Sequence, residues 1–174
     1  ERFTRTKHDP SFPCNAISAC LEESNLEIGD IDYIVYYECA SLKFKRVMYS
    51  AFRFLPKSLK MLVESLPRWL FQNLHWKRKI VGELKKRFSV DYPRDRIVNG
   101  LHHRSHASSS FHPSPFESAA ILVIDGVGEF DTASIWHGSG KKIKCVERIS
   151  YPHSLGLLYS AFTQYLGFKV NSGE

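Results

Sequence analysis

The feature that most constrains the fold is the apolar run Ala119-Ala120-Ile121-Leu122-Val123-Ile124, which ends abruptly on Asp125-Gly126-Val127-Gly128-Glu129. A short run rich in branched side chains and closed by glycines reads as a buried strand followed by a turn. Two further strand-like runs follow, Thr132–His137 and Lys142–Ile149, with Gly138-Ser139-Gly140 read as the hairpin turn between them. The expectation is an antiparallel meander that carries Asp125 at the carboxyl end of its first strand, the usual place for ligands in open α/β sheets.

Upstream, residues 13–25 space Ile17, Cys20 and Leu21 as a helix and lead to a strand over Ile31–Tyr37. Residues 41–88 read as mostly helical, broken near Pro56 and Pro67, with Leu59, Leu62, Val63 and Leu66 as an apolar stripe of core character. Ile97-Val98 is a short strand. A helix follows over His102–Phe111, stopped by Pro113, and a last one over Ser154–Leu166, stopped by Gly167, with Leu155, Leu158, Phe162, Tyr165 and Leu166 on one face.

Charge is uneven. Residues 41–96 hold 15 Lys/Arg against 4 Asp/Glu, a local charge of +11 that leaves −5 for the rest of a chain with net charge +6. Basic groups interleaved with Trp69, Phe71, Trp76 and Phe88 could serve nucleic acid, an anionic membrane or an acidic substrate, but a pair of amphipathic helices with solvated basic faces accounts for them more simply. Four scattered cysteines without C-x-x-C spacing read as free thiols of a reducing compartment, so a cytoplasmic location is expected. No apolar run reaches the roughly 18 residues of a membrane span, and no membrane association is expected. The chain opens at Glu1 without a methionine and stops just after a helix-like run, so it reads as a piece of a longer protein.

The candidate chemistry lies in Leu101-His102-His103-Arg104-Ser105-His106. On a helix His102 and His106 are four apart and project from one face, close enough to share a metal ion, whereas His103 points about a quarter turn away. The zincin pattern would need a Glu where His103 stands, so a metalloprotease is excluded. A carboxylate is the expected complement to two imidazoles, and Asp125 is the candidate. A surface helix with chance histidines, and Asp125 as a plain turn-former, are the alternatives. The Asp125–Glu129 turn could bring backbone N–H groups of Gly126 and Gly128 to phosphate oxygens, or could be an ordinary hairpin. His153 reads as part of a helix start, and Trp136 and Cys145 as packing residues.

Several strings carry a resemblance: Glu1-Arg2-Phe3-Thr4-Arg5-Thr6-Lys7-His8-Asp9, His102 to Ala107, Ser114-Pro115-Phe116 through Glu129, and His153-Ser154-Leu155-Gly156-Leu157-Leu158-Tyr159. Taken in order and with their gaps, they are similar to the NodU/CmcH-type O-carbamoyltransferases. The resemblance implies an α/β fold, a partial actin-like ATPase (ASKHA, ribonuclease H-like) domain with a mixed sheet that contains the antiparallel meander; the basic block at about 41–96, which carries none of the family's strings, reads as a helical insertion in it. The YrdC-like domain that follows in the family is expected to lie outside this chain, which then holds only an incomplete N-terminal part of the ASKHA-type domain.

It further implies transfer of a carbamoyl group to an acceptor hydroxyl of a secondary metabolite or sugar. The donor would be carbamoyl adenylate, made from carbamoyl phosphate and ATP. His102, His106 and Asp125 match positions that hold a divalent metal, Fe²⁺ foremost, with Asp125 also catalytic; Gly126, Gly128 and Glu129 are carried over as nucleotide contacts. The implied partners are a nucleotide and a small-molecule acceptor, no oligomeric state is assigned, and the isolated chain is expected to be inactive. The alternatives are a tRNA-modifying threonylcarbamoyl-type or other nucleic-acid-binding ASKHA protein, whose binding salt would weaken steeply, and a noncatalytic metal-stabilised scaffold.

Overall fold

The structure is a computed structural model that describes residues 2–6, 9–60, 63 and 75–172. Pro67, Leu62, Leu66, Trp69 and Phe71 lie outside the described residues. The chain divides into two compact units, one of residues 1–35 and 66–98 and the other of residues 36–65 and 99–174. The basic block at 41–96 therefore contributes to both.

The first unit is helical. Helix α1 (Cys14–Ser24) ends on Asn25 in the left-handed region, and a 3₁₀ turn follows at Ile28–Asp30. There the Asp30 carboxylate accepts from the backbone N–H of Glu27 at 2.8 Å. Ile31 closes this turn, its N–H donating to the carbonyl of Ile28 and its own carbonyl accepting from the Tyr92 hydroxyl, and β1 is only Ile34–Tyr36 rather than Ile31–Tyr37. Helix α3 (Trp76–Phe88) buries Val81 and Leu84 and leaves Arg78, Lys79, Lys85, Lys86 and Arg87 exposed. Its cationic last turn complements the negative end of the helix dipole. Ile28, Val81, Leu84, Tyr92 and Ile97 form the core, flanked by Ile17, Leu21, Trp76 and Phe88. Those two aromatics are thus packing residues rather than free stacking platforms. Strand β2 (Ile97–Asn99) pairs with β1, and the division between the units falls within both strands.

The second unit holds helix α2 (Ala40–Arg53), helix α4 (His102–Phe111), strands β3 (Ser118–Ile124), β4 (Asp131–Ser139) and β5 (Lys142–Ser150), and helix α5 (Leu155–Tyr165). The three strands form the expected antiparallel meander in the order β3-β4-β5, with Ile121 opposite Trp136 and Val123 opposite Ser134. Among the described residues the strands fall into two sheets, β1-β2 and β3-β4-β5, and with the helices they bear out the α/β class expected from the sequence. One face of the meander packs on α4 through Ala107, Phe111, Ile121, Val123 and Trp136.

Gly138 belongs to β4 rather than to the hairpin turn, which is left to Gly140 (φ +56°) and Lys141. A Cβ at Gly138 would stand 2.6 Å from the Phe111 ring, so this glycine lets helix and sheet approach each other. The apolar face expected for the last helix forms but is exposed, with Leu158, Phe162 and Tyr165 at 53%, 59% and 85%. Leu59 and Val63 of the expected stripe are exposed as well. No helix among the described residues is long and apolar enough to cross a membrane.

Candidate metal centre

Helix α4 presents His102 and His106 on one face, as their spacing requires, and the end of β3 delivers Asp125 to the same point. Nε2 of His102 lies 2.7 Å from Oδ2 of Asp125 and 3.0 Å from Nε2 of His106, and the third separation, His106 to Asp125, is 3.9 Å. Among the described residues these three form the cluster able to hold a metal. With bonds of about 2.1 Å, adjacent ligand atoms sit about 3.0 Å apart on an octahedron and about 3.4 Å apart on a tetrahedron. The observed separations bracket both.

The protonation chemistry supports the same conclusion. A neutral imidazole nitrogen carries either a hydrogen or a lone pair. One proton on His102 Nε2 can satisfy Asp125, but no arrangement of single protons also makes a linear bond between the two Nε2 atoms. A cation meets three converging lone pairs at once. Two imidazoles and one carboxylate are a donor set suited to Zn²⁺ or to non-haem Fe²⁺. The side chains of His102 and Asp125 are 17% and 31% exposed and that of His106 is 53% exposed, so the centre is open on the His106 side.

The surrounding residues fix these ligands. Ser154 caps α5 by accepting from the N–H of Leu157, and its hydroxyl donates to the carbonyl of Gly126 at 2.6 Å. A Cβ on Gly156 would stand 2.5 Å from the Asp125 carbonyl oxygen, so only glycine lets the first turn of α5 rest against the backbone that carries Asp125. The Asp125 N–H donates to the carbonyl of Thr132, whose side chain is fully buried. His103, expected to point about a quarter turn away from the other two, turns into the interior. It is 3% exposed, and its Nδ1 lies 2.7 Å from the Ser134 hydroxyl, which also accepts from the Trp136 indole N–H. Burial pushes the His103 imidazole below its usual range, and the neighbouring His102 and His106 push the same way against Asp131 and Asp125.

The glycine turn is engaged internally. The N–H of Gly126 donates to Asp125 Oδ1 and that of Gly128 to the carbonyl of Asp131, so a phosphate contact at either would require the loop to release these bonds. Glu129, carried over as a nucleotide contact, is 6% exposed; its carboxylate accepts from the backbone N–H of His102 and of Cys39.

Sequence reasoning missed Arg46. From α2 it donates through Nη1 to the carbonyl of Gly128 at 2.5 Å. Burial lowers its pKa, opposed by Tyr151, Glu38, Asp125 and Glu129. It also missed Tyr37, whose ring lies 5.6 Å from that of His102, and the buried Glu38, paired with Lys43 at 3.1 Å. The Cys39 thiol is pulled two ways. Burial raises its pKa, but hydrogen bonds from Ser41, Leu42 and Asn99 together bring it below the usual thiol range.

The sequence matches the family described as "Carbamoyltransferase N-terminus" over residues 1–174. The chain belongs to that family. It is 46% identical over its full length to an uncharacterized protein of Synechocystis, covering 28% of that protein, and 32% identical over 98% of its length to the nodulation protein NolNO of Sinorhizobium fredii, covering 23% of it. A 68-residue stretch is 41% identical to the nodulation protein NolO of Bradyrhizobium diazoefficiens, 38% of this chain and 12% of that protein. The chain thus spans less than a third of the length of the curated relatives it matches.

Proposed function

We propose that this chain is the metal-holding part of an O-carbamoyltransferase. In this reading the whole protein transfers a carbamoyl group from carbamoyl adenylate, made from carbamoyl phosphate and ATP, to a hydroxyl of a small-molecule acceptor. The observation that carries the proposal is the convergence of His102 Nε2, His106 Nε2 and Asp125 Oδ2, no two of them more than 3.9 Å apart. The family of carbamoyltransferase N-termini and the two nodulation relatives give that cluster its chemical context. A strand, an Asp-Gly-x-Gly turn and an antiparallel hairpin support the actin-like ATPase reading of the fold. Four free cysteines are consistent with a cytoplasmic setting.

In the transfer itself the acceptor oxygen attacks the carbamoyl carbon, the bond from that carbon to the adenylate phosphate oxygen breaks, AMP leaves, and the hydroxyl proton passes to a base. A divalent ion held by the three residues, Fe²⁺ in the first instance, supplies Lewis acidity toward an anionic or carbonyl oxygen. His102 and His106 must be neutral to serve, and Asp125 lowers the net charge of the site by its carboxylate. The nucleotide is proposed to lie along the Asp125–Glu129 loop, where Arg46 holds the carbonyl of Gly128 and adds positive charge.

The test uses the full-length protein with ATP, carbamoyl phosphate and a panel of polyol and amino-sugar acceptors, with AMP release and carbamoylated product as readouts. The expected result is metal-dependent turnover that Asp125→Asn lowers at least about 100-fold. Undiminished turnover by Asp125→Asn, or after metal is stripped, overturns the proposal. The isolated 174-residue chain is expected to give no turnover; activity from it alone would contradict this assignment.

A further inference from the structure

An imidazole that ligates a metal usually donates its other ring N–H to a carboxylate, carbonyl or water, which fixes the ring. His102 does not follow this pattern. Its Nδ1 is buried and has no hydrogen-bond partner among the described residues, so nothing there fixes the ring from behind. The restraint on His102 must come through its backbone and its packing.

The backbone restraint is visible. His102 is the first residue of α4, and Leu101 at the N-cap makes no side-chain cap. The orphan N–H of His102 instead donates to Glu129, 2.9 Å from Oε2 and 3.0 Å from Oε1. Oε1 also accepts from the N–H of Cys39 at 2.6 Å, and Cys39 is the N-cap residue of α2. One buried carboxylate therefore ties together the starts of two helices, where the helix dipoles favour a negative charge. Packing adds to this, because a Cβ at Gly128 would stand 3.1 Å from Cδ2 of His102 and 3.0 Å from Cδ2 of His103. Gly128 and Glu129 close the same loop that Asp125 opens, so the third ligand and the tether of the first are four residues apart on one segment.

We infer that Glu129 is a positioning residue of the metal centre: its carboxylate sets where α4 begins, and hence where His102 and His106 meet Asp125. The inference rests on the metal reading above and gives Glu129 a role other than nucleotide contact. Glu129 acts through the backbone of His102, from which its buried carboxylate accepts, and not as a ligand of the metal.

The experiment titrates Co²⁺ into the metal-free full-length protein and follows both affinity and the visible absorption of the bound ion. Glu129→Ala is expected to weaken Co²⁺ binding about 10- to 100-fold and to alter the spectrum, with His102, His106 and Asp125 all present. Glu129→Gln keeps an oxygen acceptor in place and is expected to restore the wild-type spectrum with a loss under about tenfold. If Glu129→Ala does not fold, Glu129→Asp, one methylene shorter, takes its place. Wild-type affinity and spectrum in the Ala or Asp variant overturn the inference. So does a Gln variant as weak as Ala, which would assign the effect to charge acting through space. Wild-type protein that fails to bind Co²⁺ would instead overturn the metal reading itself, and the two failures are told apart by that control.

Discussion

The two units are built on opposite principles. Among the described residues the core of the unit of residues 1–35 and 66–98 is made of Ile28, Val81, Leu84, Tyr92 and Ile97, and the one polar side-chain atom of these five, the Tyr92 hydroxyl, donates to the carbonyl of Ile31 at 2.9 Å. The unit of residues 36–65 and 99–174 buries Glu129, His103, Thr132 and Ser134 beside Phe111, Val123 and Trp136. Apolar burial is non-directional and tolerates small shifts, whereas each buried polar group needs its partner at a fixed place. The unit that carries the candidate site is the one whose interior is specified by hydrogen bonds. Placing three ligand atoms to within a few tenths of an ångström calls for that kind of interior.

Substitutions can break this contrast. The largest effect on stability is expected in the apolar unit: Leu84→Ala, at a side chain 1% exposed, should cost about 2–5 kcal/mol in denaturant unfolding. It should leave Co²⁺ affinity of the folded protein unchanged. Gly156→Ala should do the reverse. Its added methyl meets the Asp125 backbone, so a cost of about 1–3 kcal/mol is expected together with weakened metal binding. Equal metal binding in Gly156→Ala and wild type would show that the backbone of Asp125 is not held in the way described.

Ser134→Ala removes the shared partner of His103 and Trp136 and should cost about 1–3 kcal/mol, visible as a lower midpoint of thermal unfolding. Tyr92→Phe, in the other unit, loses one hydrogen bond and should cost about 0.5–1.5 kcal/mol. If Tyr92→Phe proved more damaging than Ser134→Ala, the contrast between the interiors would fail. Lys85→Ala breaks an ion pair with Asp91 whose side chains are 65% and 73% exposed, and at most about 1 kcal/mol is at stake.

What the sequence made legible follows from period and spacing. The strand ending at Asp125, the helix from His102 to Phe111 and the meander are local patterns, and two histidines four apart share a face on any helix. What stayed hidden depends on distant contacts. Arg46 reaches Gly128, and Glu129 reaches Cys39, across spans in which no periodic signal links the partners. Gly138 reads as a turn residue because glycines near a strand end usually are; its actual reason, the Phe111 ring, lies on another element. Gly156 stands within a recognised string, but its approach to Asp125 is visible only in three dimensions. The strand expected from Ile31 begins only at Ile34, and the backbone of Ile31 is engaged instead with Ile28 and with the distant Tyr92 hydroxyl, which β-branched composition does not register.

The account turns on whether His102, His106 and Asp125 share one cation. Elemental analysis of the purified full-length protein, beside His102→Ala, His106→Ala and Asp125→Asn, tests this most directly. The account predicts a divalent metal at close to stoichiometric occupancy in the wild type and its loss in each variant, with folding retained. Unchanged metal content in the three variants would contradict it.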